Sequence, residues 1–179
     1  MHSTFSLWLI PDFSSRQHAN LRATIKRLSH TFKTVEFDPH VTLLGGIEQT
    51  REVVLARAKR FADAQSPLDI RFGAIRSKQK NPMQIFFADV ELSEELKDAH
   101  IAVSELMFGP RKFNYTPHLS LVYGDLNDEH VAVLLDEVVH TTFVPENNNF
   151  ISWGVSVWHT PTLDVKDWSE EQHFKFRIK

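Results

Sequence analysis

Two short segments, Asp38-PHVTLLGG and Thr116-PHLSLVYG, share one pattern: Pro, His, a β-branched or Leu residue, a hydroxyl residue, Leu, an aliphatic, any residue, Gly. The two histidines, His40 and His118, stand 78 residues apart. In a strand, residues i and i+2 point to one side, so His40 shares a face with Thr42 and His118 with Ser120. Val41, Leu43, Leu119 and Leu121 then turn toward a core. An imidazole both takes and gives a proton near neutral pH, and two of them on opposite sides of a phosphorus atom suit in-line displacement. One activates the attacking water and the other protonates the leaving oxygen. The hydroxyls of Thr42 and Ser120 can donate to the nonbridging oxygens, where charge gathers in a five-coordinate transition state. This chemistry requires no metal or other cofactor.

His-x-Ser/Thr by itself is a weak signal, since it recurs at His2 and His140 without an apolar strand around it. A single copy is explained as well by a core histidine bonded to a neighbouring hydroxyl, because buried polar groups find partners. Two copies in the same context at a fixed offset point to a shared site.

The same offset aligns most of the chain, as an internal repeat must. It places Trp8 on Phe86, the stripe Leu21, Ile25 and Leu28 on Ala99, Val103 and Leu106, and Phe72 and Ile75 on Phe150 and Trp153. Thr50 falls on Asp128, and both read as N-caps for the helix that follows. Each half reads as strand, helix, strand, helix, strand. First strands are expected at 5–10 and 84–90, amphipathic helices at about 14–31 and 93–107, second helices at about 50–64 and 128–140, and third strands at about 68–76 and 149–158. The link Ser77-KQKNP has loop composition, and His173 to Lys179 alternates as a last strand. The expected architecture is α+β: one bilobal domain over 1–179, with the repeat at about 5–76 and 83–155, antiparallel-rich sheets facing a central cleft and helices outside.

Composition narrows the class further. The 179 residues are 42% hydrophobic and 24% charged with 6 Gly and 8 Pro, enough to bury a globular interior. Twenty Lys+Arg against 23 Asp+Glu leave a net charge of -3, without the basic excess that grips long nucleic acid; a small phosphate ligand remains compatible. The absence of Cys excludes disulfides, thiolate metal sites and a cysteine nucleophile. The opening MHSTFSLWLIPDF has too short an apolar run for a signal sequence or a membrane span, so an intracellular protein, cytoplasmic or nuclear, and a monomer are expected.

His40-Val-Thr42 and His118-Leu-Ser120 resemble the paired motifs of the two-histidine (2H) phosphoesterase superfamily. FSLWLIP near the start and PHLSLVY ending at Tyr123 look like its cyclic nucleotide phosphodiesterase branch of plant and fungal type. The likeness covers essentially the whole chain. It implies metal-independent hydrolysis of ADP-ribose 1'',2''-cyclic phosphate, a by-product of tRNA splicing, and of nucleoside 2',3'-cyclic phosphates to 2'-phosphates. His118 would be the base and His40 the acid, with Thr42 and Ser120 binding phosphate. Trp8 and Tyr123 match aromatics of the nucleotide pocket, although Tyr123 alternates with Leu121 and not with His118, and so needs a bulge or turn to reach the site. Plant members carry a disulfide with no counterpart here. Lys78, Lys80, Arg111 and Lys112 lie in expected loops, solvated or meeting a distal phosphate. His18, His30, His100, His130 and His173 lack metal-ligand spacing and are expected mostly at the surface; Trp168 with Glu170 and Glu171 reads as a turn with exposed acid. Two other functions compete: an enzyme opening cyclic phosphates on RNA ends or joining 2'-5' ends, and a nucleotide-binding module that has lost turnover. A structural role for the histidines is the blandest alternative.

Overall fold

The computed structural model describes residues 4–78, 81–110, 112, 114–127, 129–133 and 149–178. Nine strands are formed among them: β1 (Thr4–Leu9), β2 (Val41–Glu48), β3 (Leu68–Ile70), β4 (Phe72–Arg76), β5 (Phe86–Val90), β6 (His118–Val122), β7 (Phe150–Ser152), β8 (Gly154–His159) and β9 (Ser169–Lys175). Helices α1 (Arg16–Phe32), α2 (Arg51–Ala64) and α3 (Glu94–Phe108) follow β1, β2 and β5. The fold is α+β, as expected.

Seven strands form one antiparallel sheet in the order β4-β5-β6-β2-β1-β8-β9. The two motif strands are its centre, joined at the pair Val41–Leu119. Moving outward, each motif strand meets the first strand of its own half and then the third strand of the other half. Strands expected at 68–76 and 149–158 are therefore broken in two. Their first parts, β3 and β7, pair with each other in a separate ribbon, and their second parts, β4 and β8, cross to opposite sides of the large sheet. At the second break a side chain is excluded, because a Cβ on Gly154 would lie 2.4 Å from the Phe174 carbonyl oxygen.

Alternation along the strands sends Phe5, Leu7, Leu9, Val41, Leu43, Phe86, Ala88, Leu119, Leu121, Val155 and Val157 into one core with the helices. The helices present stripes to it: Leu21 and Leu28 of α1, Val54, Ala58 and Phe61 of α2, and Leu96, Ala99, Val103 and Met107 of α3. Ser15 and Ser93 cap α1 and α3, their side chains accepting from the backbone N–H groups of His18 and Leu96. Thr50 makes no such side-chain bond. Of the helix expected at 128–140, residues 129–133 are helical and the remainder, with Asp128, lies outside the described residues; Asn127 supplies the cap, accepting from His130 N–H at 2.9 Å.

Two expectations are corrected at the surface, and the reading that most of the remaining histidines are exposed holds for three of the five. The last strand starts at Ser169, because β9 pairs along the whole of β8 from His159–Ser169 to Gly154–Lys175. Glu170 and Glu171 therefore lie on a strand, where they pair with the Ser156 hydroxyl and Arg51. His18 and His100 are buried on α1 and α3, while His30, His130 and His173 are exposed. No helix of the described residues is long and apolar enough to cross a membrane.

Candidate active site

The sheet face away from the core carries the motif residues. The antiparallel register fixed by Val41–Leu119 puts His40 across from Ser120 and Thr42 across from His118. Each histidine follows a proline, and the residue before a proline is held extended. That geometry turns the preceding carbonyl back onto the ring: Nδ1 of His40 donates to Asp38 O at 2.7 Å, and Nδ1 of His118 to Thr116 O at 3.1 Å. Since a carbonyl only accepts, both rings carry their proton on Nδ1 when neutral and offer the lone pair of Nε2.

A cleft of about 380 Å³ opens over the two rings. Its walls include Ser6, Trp8, His40, Thr42, Met83, Gln84, His118, Tyr123, Thr160, Thr162, Leu163 and Trp168. A second depression, about 390 Å³, lies beside Asp69, Glu91 and Glu95 with Arg71. Its acidic lining disfavours an anionic substrate. Among the described residues no group of His, Asp and Glu is placed to hold a metal ion.

The histidines differ in environment. His40 is 5% exposed, with its face stacked on Trp8 at 3.6 Å and 7°. Burial pushes its pKa down to about 4; the Asp38 carbonyl opposes this and nearby His118 adds to it. His118 is half-buried with the edge of Phe87 against it at 5.4 Å. Burial holds it below the usual imidazole range, Lys78 depresses it further, and the Thr116 carbonyl and Asp89 pull it up. Both rings are thus stored neutral.

Three site residues make contacts that the sequence does not show. Trp8 is in the wall, but His40 covers one face and Trp158 the other at 4.2 Å, so neither face is free for a base. Its counterpart in the second half is Phe87 and not Phe86, because Trp8 pairs with Thr42 as Phe87 pairs with Ser120. A register irregularity beside each pair absorbs the extra residue. Tyr123 escapes its parity by lying one residue beyond β6, where the chain turns through Gly124 at φ 137°. Its hydroxyl donates to Nε2 of His40 at 3.3 Å and its ring stacks on Phe37 at 3.9 Å. Ser120 is 3% exposed and donates its hydroxyl proton to Met83 O at 2.8 Å, whereas Thr42 stands open in the wall.

Sequence reasoning missed two parts of the cleft. Met83 and Gln84 come from the short 3-10 turn Pro82–Gln84, in the stretch that follows the loop-like link. Trp168, expected in a turn, is half-buried with its edge to Trp8 and Tyr123; its indole N–H donates to Thr162 O at 2.8 Å. No local signal marks either, since both reach the site only through the sheet order. Of the loop cations, Lys78 donates to Gln84 Oε1 at 2.8 Å and lies over the Phe87 ring; Lys112 is exposed, and Lys80 and Arg111 lie outside the described residues.

This fold is that of the LigT-type phosphoesterases. Escherichia coli LigT complexed with 3'-AMP superposes at TM-score 0.64 over 99% of this chain and 100% of that one, at 9% identity. A structure described as a phosphoesterase gives 0.61 over 98% and 99% at 11% identity, and TT0787 of Thermus thermophilus gives 0.60 over 97% and 98% at 18%. Residues 1–175 match the family described as cyclic phosphodiesterase-like protein, and the chain belongs to that family, within the two-histidine phosphoesterase superfamily. No curated protein sequence matches it.

Proposed function

We propose that the protein hydrolyses small cyclic phosphodiesters, nucleoside 2',3'-cyclic phosphates and ADP-ribose 1'',2''-cyclic phosphate, by two-histidine acid-base catalysis independent of metal. Such an enzyme clears by-products of tRNA splicing. The observation that carries the reading is the pair of imidazoles in one cleft, each anchored through Nδ1 to the carbonyl two residues back so that Nε2 is the working atom. Half-exposed His118 lies where water enters and acts as the base. Buried His40 acts as the acid, taking up its proton as the anionic phosphate enters and giving it to the departing ribose oxygen. The Tyr123 hydroxyl follows that change, since it can donate to the neutral Nε2 and accept from the protonated one. Thr42 donates to a nonbridging oxygen.

The decisive experiment is phosphorus NMR of a 2',3'-cyclic nucleotide and of ADP-ribose 1'',2''-cyclic phosphate with the protein in EDTA. Ring opening to the 2'-phosphate of the nucleotide and the 1''-phosphate of the ADP-ribose compound is expected. No opening of either compound would overturn the reading and turn attention to RNA ends carrying a cyclic phosphate.

The nucleoside lies against the outer wall, formed by Trp168, Met83 and Leu163, the last 74% exposed. Stacking on one aromatic is worth about 1–3 kcal/mol per base. Trp168→Ala is therefore expected to raise KM for cyclic nucleotides by about 5- to 150-fold with kcat much less affected. Steady-state kinetics on purine and pyrimidine substrates measure it, and an unchanged KM would remove Trp168 from the base site.

A further inference from the structure

The two motif strands, whose His40, Thr42 and His118 line the cleft, are joined by one backbone pair, Val41–Leu119. Just past that pair β2 is irregular on its other side as well. Its register with β1 steps from Trp8–Thr42 to Leu7–Leu44 and passes over Leu43. A bulge of this kind disrupts the ladder, and a buried carbonyl that loses its regular partner must find another donor. The carbonyls of Thr42 and Leu43 find donors in the second half of the chain. Tyr115 donates its hydroxyl to Thr42 O at 3.1 Å, and His100 of α3 donates from Nδ1 to Leu43 O at 2.8 Å.

The two donors brace each other, their rings stacked at 4.0 Å with planes 1° apart. His100 is 6% exposed, and Tyr115 is half-buried against the main core. Burial holds the phenol above its usual pKa range and the imidazole below its own. At neutral pH the pair therefore offers one O–H and one N–H to two successive carbonyls without placing a charge beside the motif strand.

The Tyr115 bond bears on the reaction through the chain beside it. Tyr115 stands three residues before His118, and between them Thr116 O takes the Nδ1 proton of His118 at 3.1 Å. Thr42, whose carbonyl Tyr115 holds, lies across from His118 and opens into the cleft. One segment, 115–118, thus anchors the base through the Thr116 carbonyl and the phosphate donor of the other half through the Tyr115 hydroxyl. The tyrosine is a second tie across the seam between the motif strands, set on the residue that faces the phosphate.

We propose that Tyr115 is a positioning residue: its hydroxyl holds the Thr42 backbone at the bulge, so that the Thr42 hydroxyl meets a nonbridging phosphoryl oxygen while His118 meets the attacking water. The stack on His100 keeps the Tyr115 ring aimed for that bond. The proposal rests on the phosphodiesterase reading given above.

Tyr115→Phe keeps the ring and its stack and removes only the hydroxyl. A displacement of about 1 Å at a reacting group costs about 10²-fold, so kcat on 2',3'-cyclic nucleotides is expected to fall by about 10- to 10²-fold, with KM much less affected. The loss comes through Thr42. In a Thr42→Ala background Tyr115→Phe is therefore expected to cost about twofold or less, whereas a merely structural tyrosine costs the same factor in both backgrounds. Urea denaturation sets the temperature at which each variant is folded before assay. Full kcat in Tyr115→Phe beside an active wild type overturns the proposal alone. So does an equal factor in the Thr42→Ala background, or a Tyr115→Phe chain that folds at no temperature, since the hydroxyl then serves the fold and not the site. A wild type inactive on every cyclic phosphate overturns the phosphodiesterase reading and this role together.

Discussion

Turnover of a 2',3'-cyclic nucleotide falls by about 10² to 10⁴ in His40→Ala and in His118→Ala, the usual contribution of one general acid or base. The fold survives in His118→Ala, whose ring is half-exposed, whereas His40→Ala removes the ring stacked between Trp8 and the Tyr123 hydroxyl and also lowers stability. The assignment of roles predicts more than the loss itself. A substrate with a nitrophenolate leaving group needs no proton on departure, so it restores much of the rate in His40→Ala and little in His118→Ala. The opposite pattern would exchange the acid and the base, and equal rescue of both would remove proton transfer to the leaving group from the slow step. Thr42→Ala loses less than either, because one neutral donor is worth less than the acid-base pair acting in concert.

The second large effect is on pH. The productive free enzyme carries one protonated and one neutral imidazole, yet both rings are held neutral at pH 7, His40 with a pKa of about 4 and His118 below its ordinary value. As pH falls from 8 toward 5 the singly protonated form grows, so kcat/KM rises and its maximum lies on the acid side of the ordinary imidazole range. Bound phosphate favours the protonated rings, which moves the kcat maximum upward relative to kcat/KM. A kcat/KM maximum above about pH 7.5, or a flat profile, contradicts this account. The same depression makes folding pH-dependent. The neutral His40 of the folded state loses nothing above the unfolded pKa of 6.5, and as pH falls from there toward about 4 the unfolded chain binds a proton that the folded one refuses. The stability lost is about 3 kcal/mol. Urea denaturation at pH 7 and pH 4.5 measures it, and His40→Gln flattens the slope.

How much of this was legible in the sequence depends on whether the signal is local. The alternation in HVTLL and HLSLV put imidazole and hydroxyl on one face and aliphatics on the other without knowledge of any partner strand. The proline before each histidine and the apolar stripes of α1 and α3 are equally local. What failed required a second segment. The offset of 78 holds through the motifs but gains one residue in the first strands, because irregularities in pairing are invisible to a residue count, and so Phe86 was matched where Phe87 stands. The Ser120 hydroxyl reaches a carbonyl 37 residues earlier, a contact that no local pattern shows. His100 lies on an amphipathic helix with no motif near it, and is buried because its Nδ1 donates to Leu43 O at 2.8 Å and its ring stacks on Tyr115. Trp168 sat in a stretch whose composition says only turn, and Gln84, expected to open the strand at 84–90, lies instead in the 3-10 turn before it.

The exchange of third strands between the halves has a consequence for how the chain reaches its native state. Trp158 on β8 backs Trp8, which in turn backs His40, so the environment of the first motif is completed by a residue more than a hundred positions later. Pairings between such distant segments make for slow, cooperative folding, since the loop entropy must be spent before the contacts form. During synthesis the first motif therefore waits, with its tryptophan uncovered on one side, until almost the whole chain has left the ribosome. A fragment ending before β8 carries the first histidine without its setting, and the two halves, similar as they are, acquire a working site only together.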